Sequence, residues 1–210
     1  MEIVIIANGN IDNLAYIENI IKNKYLICAD GAAKYLRKIN VVPNLLVGDF
    51  DSIDSEDLLW MKENKVQYEK FPSRKDQTDT ELALEYAFQL NPKSITMIGA
   101  LGSRQDHSIG NIMLLWRILQ QGVEGKIVDE NSYITITNSR IYVQGEIGEH
   151  ISIIPLTNPV KGVTLEGLEY PLKDRDIDQG STLGISNVFI QKEAVISLKE
   201  GVLLVIKSKE

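Results

Sequence analysis

Two different rhythms along one chain predict an α/β protein joined to an all-β part. Up to about residue 130, short apolar runs alternate with amphipathic stretches; beyond it, hydrophobic residues recur at every second position between Gly or Pro turns. Strands alternating with helices imply a layered, mostly parallel sheet with flanking helices. Short strands broken by regular turns imply an antiparallel β-sandwich. The expected boundary falls near 130–132, giving an α/β domain over 1–130 and a β-sandwich domain over 131–210.

The elements justify themselves in order. Met1-Glu2-Ile3-Val4-Ile5-Ile6 has no basic start and reads as a first strand, not a signal peptide. Residues 3–7, 26–29, 45–47, 66–71, 95–98 and 126–128 read as short buried strands. After Thr78, apolar residues Leu82, Ala83, Tyr86, Ala87 and Leu90 share one helical face, and Thr78-x-x-Glu81 is a capping-box pattern at its start. The clearest helix spans about 108–121, with Ile109, Ile112, Met113, Trp116 and Leu119 at helical spacing. In the second part, Ile141/Val143, Ile151/Ile153, Val163/Leu165, Ala194/Ile196/Leu198 and Val202/Leu204/Ile206 alternate with period two.

Composition excludes several classes. A net charge of −7 argues against a nucleic-acid surface, which needs a basic face. No apolar run approaches the ~18 residues of a membrane span. The single cysteine, Cys28, lies in an apolar run and suits a buried thiol in a reducing compartment, so a cytoplasmic protein is expected. No Gly-x-x-x-x-Gly-Lys-Ser/Thr, Gly-x-Gly-x-x-Gly or zinc-type Cys/His pattern is present.

The chemistry is carried by four acidic clusters at strand ends or helix starts. They are Ala29-Asp30-Gly31-Ala32, Gly48-Asp49-Phe50-Asp51-Ser52, Asp76-Gln77-Thr78-Asp79 and Arg104-Gln105-Asp106-His107. In a parallel sheet the loops after the strands open on one edge, where ligands bind. Carboxylates gathered there repel one another unless cations lie among them, and oxygen-only ligation suits Mg²⁺ bridging to phosphates. Each cluster also has a plainer use. Asp54 or Ser55 caps a following helix, Asp79 favours the positive end of a helix dipole, and Asp106 or Ser108 caps the strongest helix. Capping leaves the second acid after 45–47 unexplained, along with Arg104 and the glycines of Gly99-Ala100-Leu101-Gly102-Ser103. Glycines admit phosphates close to backbone N–H groups, and a guanidinium fork fits phosphate oxygens. Arg74 and Lys75, just upstream of the Asp79 helix, fit phosphate oxygens or a solvated surface pair.

Together and in this order, these segments resemble the thiamine pyrophosphokinase family. The matching blocks are Ala29-Asp30-Gly31-Ala32-Ala33, Gly48-Asp49-Phe50-Asp51-Ser52, Asp76-Gln77-Thr78-Asp79-Thr80-Glu81-Leu82-Ala83-Leu84, residues 99–115 and Gly184-Ile185-Ser186-Asn187. The resemblance implies an α/β catalytic domain, a C-terminal β-sandwich contributing to thiamine binding and dimerisation, and a homodimer. It implies transfer of the pyrophosphoryl group of ATP to thiamine, giving thiamine diphosphate and AMP. The family's acidic positions fall on Asp30, Asp49, Asp51, Asp79 and Asp106. Ser186 and Asn187 match the segment lining the thiamine pocket. Ser103 and Gln105 depart from the family pattern, in which a second glycine and an apolar residue are usual.

On that resemblance Asp49, Asp51 and Asp79 hold Mg²⁺ against the triphosphate. Asp30, Gly31, Lys75, Gly102, Ser103 and Arg104 attend the nucleotide. Asp79 or Asp106 accepts the thiamine hydroxyl proton, and Asp79, Ser186 and Asn187 attend thiamine. Two rivals remain at this point. Asp49-Phe50-Asp51 resembles the nucleophile motif of haloacid-dehalogenase-type phosphatases, although the late acidic pair of that family is missing. A non-catalytic thiamine or nucleotide sensor would use the same pockets without turnover.

Overall fold

The apolar runs of the first half pair in parallel with their neighbours in chain order, except that the first strand also pairs with the fifth. The computed structural model describes residues 1–72 and 76–209, in two units, Met1–Glu130 and Asn131–Glu210. The first unit runs β1 (Glu2–Ile6), α1 (Leu14–Ile21), β2 (Tyr25–Ala29), α2 (Ala33–Lys38), β3 (Leu45–Gly48), α3 (Ser55–Glu63), β4 (Gln67–Lys70), α4 (Asp79–Gln89), β5 (Ser94–Ile98), α5 (Gln105–Gln120) and β6 (Glu124–Val128). Its strands lie in the order β6-β5-β1-β2-β3-β4, and every pair is parallel. The chain therefore builds outward from β1 to β4, then returns to the other side of β1 with β5. That reversal opens a crevice beyond the C-terminal ends of β1 and β5.

Burial explains why the central strands are continuous apolar runs. Ile3, Ile5, Ile27, Leu46, Ile95 and Met97 are almost wholly buried, each worth roughly 1.5–3 kcal/mol of transfer free energy. The Cys28 thiol is buried in β2, and burial pushes its pKa well above the ordinary thiol value, as suits a structural residue. β4 departs from the expected buried strand. All four of its residues are exposed, because it pairs only with β3 and carries polar side chains.

Two helix expectations need correction. α5 starts at Gln105, and its buried residues are Ser108, Asn111, Leu114, Leu115 and Ile118, while Ile109 and Met113 are exposed. Apolar residues surround most of this helix, so spacing alone fits two faces and packing selects between them. At α4 the Thr78 hydroxyl accepts the Glu81 N–H at 3.2 Å, as a cap should. Glu81 does not return the bond. Its carboxylate accepts from Arg117 Nη1 at 2.7 Å, and Arg117 also pairs with Glu85, tying α4 to α5.

The second unit contains β7 (Ser132–Thr137), β8 (Ile141–Gln144), β9 (His150–Pro155), β10 (Val160–Glu166), β11 (Leu172–Ile177), β12 (Asn187–Val188), β13 (Glu193–Ser197) and β14 (Leu203–Ser208). Antiparallel sheets β12-β9-β14-β7 and β11-β10-β13-β8 enclose a core that includes Ile151, Ile153, Val163, Leu165, Phe189 and Ile196. The layout is a β-sandwich, so the fold class is α/β plus antiparallel β. On β14 the residues facing this core are Leu203 and Val205, not the expected Val202, Leu204 and Ile206. The run is apolar at consecutive positions, which leaves the strand's phase unreadable from period two. Among the described residues, no helix is long and apolar enough to cross a membrane.

Candidate active site

The crevice at the strand-order reversal is a cleft of about 680 Å³ whose lining comes entirely from the first unit. One wall is the loop after β1, residues 7–10, and another is the loop after β5, residues 99–104. The two are stitched backbone to backbone: Ala7 N–H donates to Ile98 O and Gly9 N–H to Gly99 O, each at 2.8 Å. A side chain on Gly9 would meet Gly99 O at 2.3 Å and Leu101 O at 2.4 Å, so only glycine permits this contact.

Buried polar side chains hold both loops. Tyr35 Oη donates to Gly9 O at 2.8 Å, and Asn111 Nδ2 donates to Ala100 O at 2.7 Å. Ser108 Oγ accepts from Gly102 N at 3.1 Å and also lies 3.2 Å from the Gly102 and Arg104 carbonyls. Thus α5 begins with its first turn engaged in shaping the loop. Gly102, Ser103 and Arg104 lie on the cleft wall, exposed to incoming ligand.

The acidic motifs meet at the edge formed by β2, β3 and the start of α4. Ligand oxygens of Asp30, Asp49 and Asp79 all lie within 4.8 Å of one another. Asp30 sits directly after β2 at φ 39 and is almost fully buried. Its Oδ2 accepts from Ser52 Oγ at 2.9 Å and from Ser52 N at 3.4 Å. Its Oδ1 is buried with no hydrogen-bond partner among the described residues. Burial pushes the Asp30 carboxyl above the usual carboxylate range; the Ser52 bonds oppose this, and the charges of Asp79 and Asp49 add to it. Gly31 follows in the same turn, where a side chain would strike Asn8 Nδ2 at 2.4 Å.

A buried orphan carboxylate oxygen among two further carboxylates costs free energy unless a cation neutralises it. The donor set is oxygen only, which suits a hard divalent ion. Asp51 is not in this group. It is exposed, and its backbone N–H donates to Asp49 Oδ1 at 3.2 Å. Phe50 between them adopts φ 66, an uncommon left-handed conformation for a bulky residue that turns the chain sharply. Its ring lies edge-on to Tyr68 at 6.0 Å.

Asp106 stands apart from the trio in another way. Arg104 Nη2 donates to its Oδ2 at 2.6 Å, and this bond holds the Asp106 carboxyl below the usual range. His107 Nε2 lies 3.9 Å from the same oxygen. Lys75 and Arg74 lie outside the described residues.

In the second unit Ser186 and Asn187 have different lives. Ser186 is exposed at φ 55, and its N–H donates to Ser152 Oγ at 3.0 Å. Asn187 is buried. Its Nδ2 donates to Tyr170 O at 2.8 Å, while its Oδ1 accepts from Tyr170 N and Val188 N, each at 2.9 Å. These bonds occupy the Asn187 amide within the unit.

The sequence reading passed over the loop Asn8-Gly9-Asn10 and the lining residues Lys34, Tyr35 and Asn111. Asn8-Gly9-Asn10 follows the first strand as the other motifs follow theirs, but it has no acid to draw attention. Asn111 lies within a block noted for other residues, whereas Lys34 and Tyr35 follow directly after the block that ends at Ala33.

An open parallel sheet with carboxylates and a glycine-bearing loop at its switch point defines a class: α/β proteins that bind a ligand in the crevice beyond the strand ends. Comparison with known proteins narrows it. Residues 17–127 match the family described as "Thiamin pyrophosphokinase, catalytic domain", and residues 135–203 match "Thiamin pyrophosphokinase, vitamin B1 binding domain". The thiamine pyrophosphokinase of Bacillus subtilis is 32% identical over 186 residues, covering 88% of this chain and 87% of that protein. The crystal structure of thiamine pyrophosphokinase from Bacillus subtilis superposes with TM-score 0.90 at 29% identity, covering 100% of each chain. That of the Geobacillus thermodenitrificans protein gives TM-score 0.87 at 30% identity, covering 100% of this chain and 98% of the other. This chain belongs to the thiamin pyrophosphokinase family. It is an enzyme, a transferase of that kind, and the phosphatase and sensor alternatives gain no support from these matches.

Proposed function

We propose that the cleft of the first unit binds ATP with Mg²⁺ and is the place where the pyrophosphoryl group passes to thiamine. The observation that carries this is the meeting of Asp30, Asp49 and Asp79 around Asp30 Oδ1, which has no hydrogen-bond partner among the described residues. Those three residues would hold the ion, with Asp51 close by on the same loop. When bound, the ion neutralises charge on the phosphate oxygens of the transferred group.

The thiamine hydroxyl oxygen forms a bond to the β-phosphorus, the bond from that phosphorus to the α,β-bridging oxygen breaks, and AMP leaves with the electron pair. The hydroxyl proton goes to a carboxylate. Asp106 is a poor acceptor because its bond to Arg104 favours its charged form. We therefore assign the proton to Asp79 and give Asp106 the task of orienting Arg104. Arg104 and Ser103, with Gly102 admitting them close beside it, face the nucleotide phosphates, and Lys75 is assigned there from its place just before the Asp76–Leu84 block. Gly31 admits the close packing that sets Asp30.

Exposed Ser186 is the side chain assigned to thiamine, and Asn187 shapes the segment that presents it. We read the working form as a cytoplasmic homodimer. The test is incubation with ATP, Mg²⁺ and thiamine, followed by identification of the products. AMP and thiamine diphosphate in equal amounts support the reading; ADP with thiamine monophosphate, or free phosphate alone, overturns it.

A further inference from the structure

Among the described residues, the cleft is short of available positive charge. Asp30 and Asp79 line it and Asp49 joins them, whereas the described lining offers only Lys34 and Arg104 as permanent cations. Arg104 is already committed to Asp106 through bonds of 2.6 Å and 3.4 Å. Lys34 has no carboxylate partner among the described residues, and its ammonium lies 4.8 Å from the centre of the Tyr35 ring. An ammonium beside several acids yet paired with none keeps its donors for something else.

The backbone under Lys34 is well fixed. Tyr35, the next residue, is bonded to Gly9 O, and Arg37 on the same helix pairs with buried Asp57 of α3. Lys34 itself is half-buried and lines the cleft, as an amphipathic side chain with an apolar stem and a charged head can. A compact ammonium on such a stem serves phosphate oxygens as a point charge.

We propose that Lys34 holds the phosphate chain of ATP in this cleft and so sets the affinity of the enzyme for the nucleoside triphosphate. This rests on the functional reading above. Lys34 offsets the repulsion that the acidic wall exerts on a polyanion.

The test uses the full chain with Lys34→Met and Lys34→Arg. Binding of ATP with Mg²⁺ is measured by calorimetry without thiamine, where no transfer can occur, and steady-state constants are measured separately. Lys34→Met is expected to raise the ATP Kd and KM about tenfold, the scale of one charge-assisted bond. Its thiamine KM should stay within about twofold, since the proposed contact is to the nucleotide phosphates and not to thiamine. Lys34→Arg should recover most of the ATP affinity. Wild-type affinity should also fall more steeply with added salt than that of Lys34→Met. Melting curves establish that the variants are folded.

ATP affinity unchanged in Lys34→Met at low salt would overturn the proposal while leaving the enzyme's reaction intact. Wild-type protein that binds ATP but forms no AMP with thiamine would overturn the functional reading, and the binding comparison would still judge Lys34. Wild-type protein that binds no ATP would overturn both.

Discussion

Replacing Asp30 with Asn should make the metal-free protein more stable and the enzyme nearly inactive. Asp30 Oδ1 is buried without a hydrogen-bond partner among the described residues, and an unsatisfied buried acceptor costs about 1–3 kcal/mol. Asparagine keeps the shape. Its oxygen can accept the Ser52 bonds now made to Oδ2, and its NH₂ then points toward the carboxylates of Asp49 and Asp79. Relief of about 1–3 kcal/mol corresponds to a rise in melting temperature of roughly 2–4 °C per kcal/mol for a chain of this size.

The pH dependence has a definite sign. The Asp30 carboxyl is raised in the folded state, chiefly by burial. Below the ordinary carboxylate range it is protonated whether folded or not, and its burial then carries no ionic penalty. As pH rises through the raised value, the folded state must accept the charge and loses stability relative to Asp30→Asn. The variant's advantage should therefore be present at neutral pH and shrink on acidification. The assay is thermal melting in a chelator across that range, repeated with Mg²⁺ and ATP. With those ligands the order should reverse, because the wild type gains more from binding. A lower melting temperature for Asp30→Asn at neutral pH without metal would refute the reasoning, as would an advantage independent of pH.

Other outcomes follow from the same geometry. Asp49→Asn should lower turnover at least about a hundredfold, the scale of a lost electrostatic stabiliser, with little change in the metal-free melting curve; activity assays beside calorimetric melts check this. Ser186→Ala should raise the thiamine KM more than it lowers kcat and leave the fold alone. Asn187→Ala should instead destabilise the protein by about 1–3 kcal/mol, because the Tyr170 N–H and carbonyl lose their shared partner. Denaturant titration separates these neighbours, and equal stability of the two variants would count against the structural role given to Asn187.

Much of this protein can be read from its residues because the relevant signals are local. Apolar runs, Thr78 capping the Glu81 N–H and the change to period two near residue 130 each depend on a few neighbouring positions. The acidic motifs are legible for the same reason, since each follows a strand or opens a helix. Locality also explains the misreadings. On α5 and β14 apolar residues occupy more than one face, so periodicity offers two solutions and only packing chooses.

Which side chains converge is a different kind of fact. Asp30 joins Asp49 and Asp79 because β2 and β3 are neighbours in the sheet and the left-handed turn at Phe50 separates Asp49 from Asp51. Asn8-Gly9-Asn10 becomes a wall of the cleft because β5 returns beside β1. The sequence alone determined the kinds of element, their order and the chemistry available at their ends. Tertiary structure decided which of those ends share a cleft, because strand order and a few unusual backbone angles act between residues that are far apart in the chain.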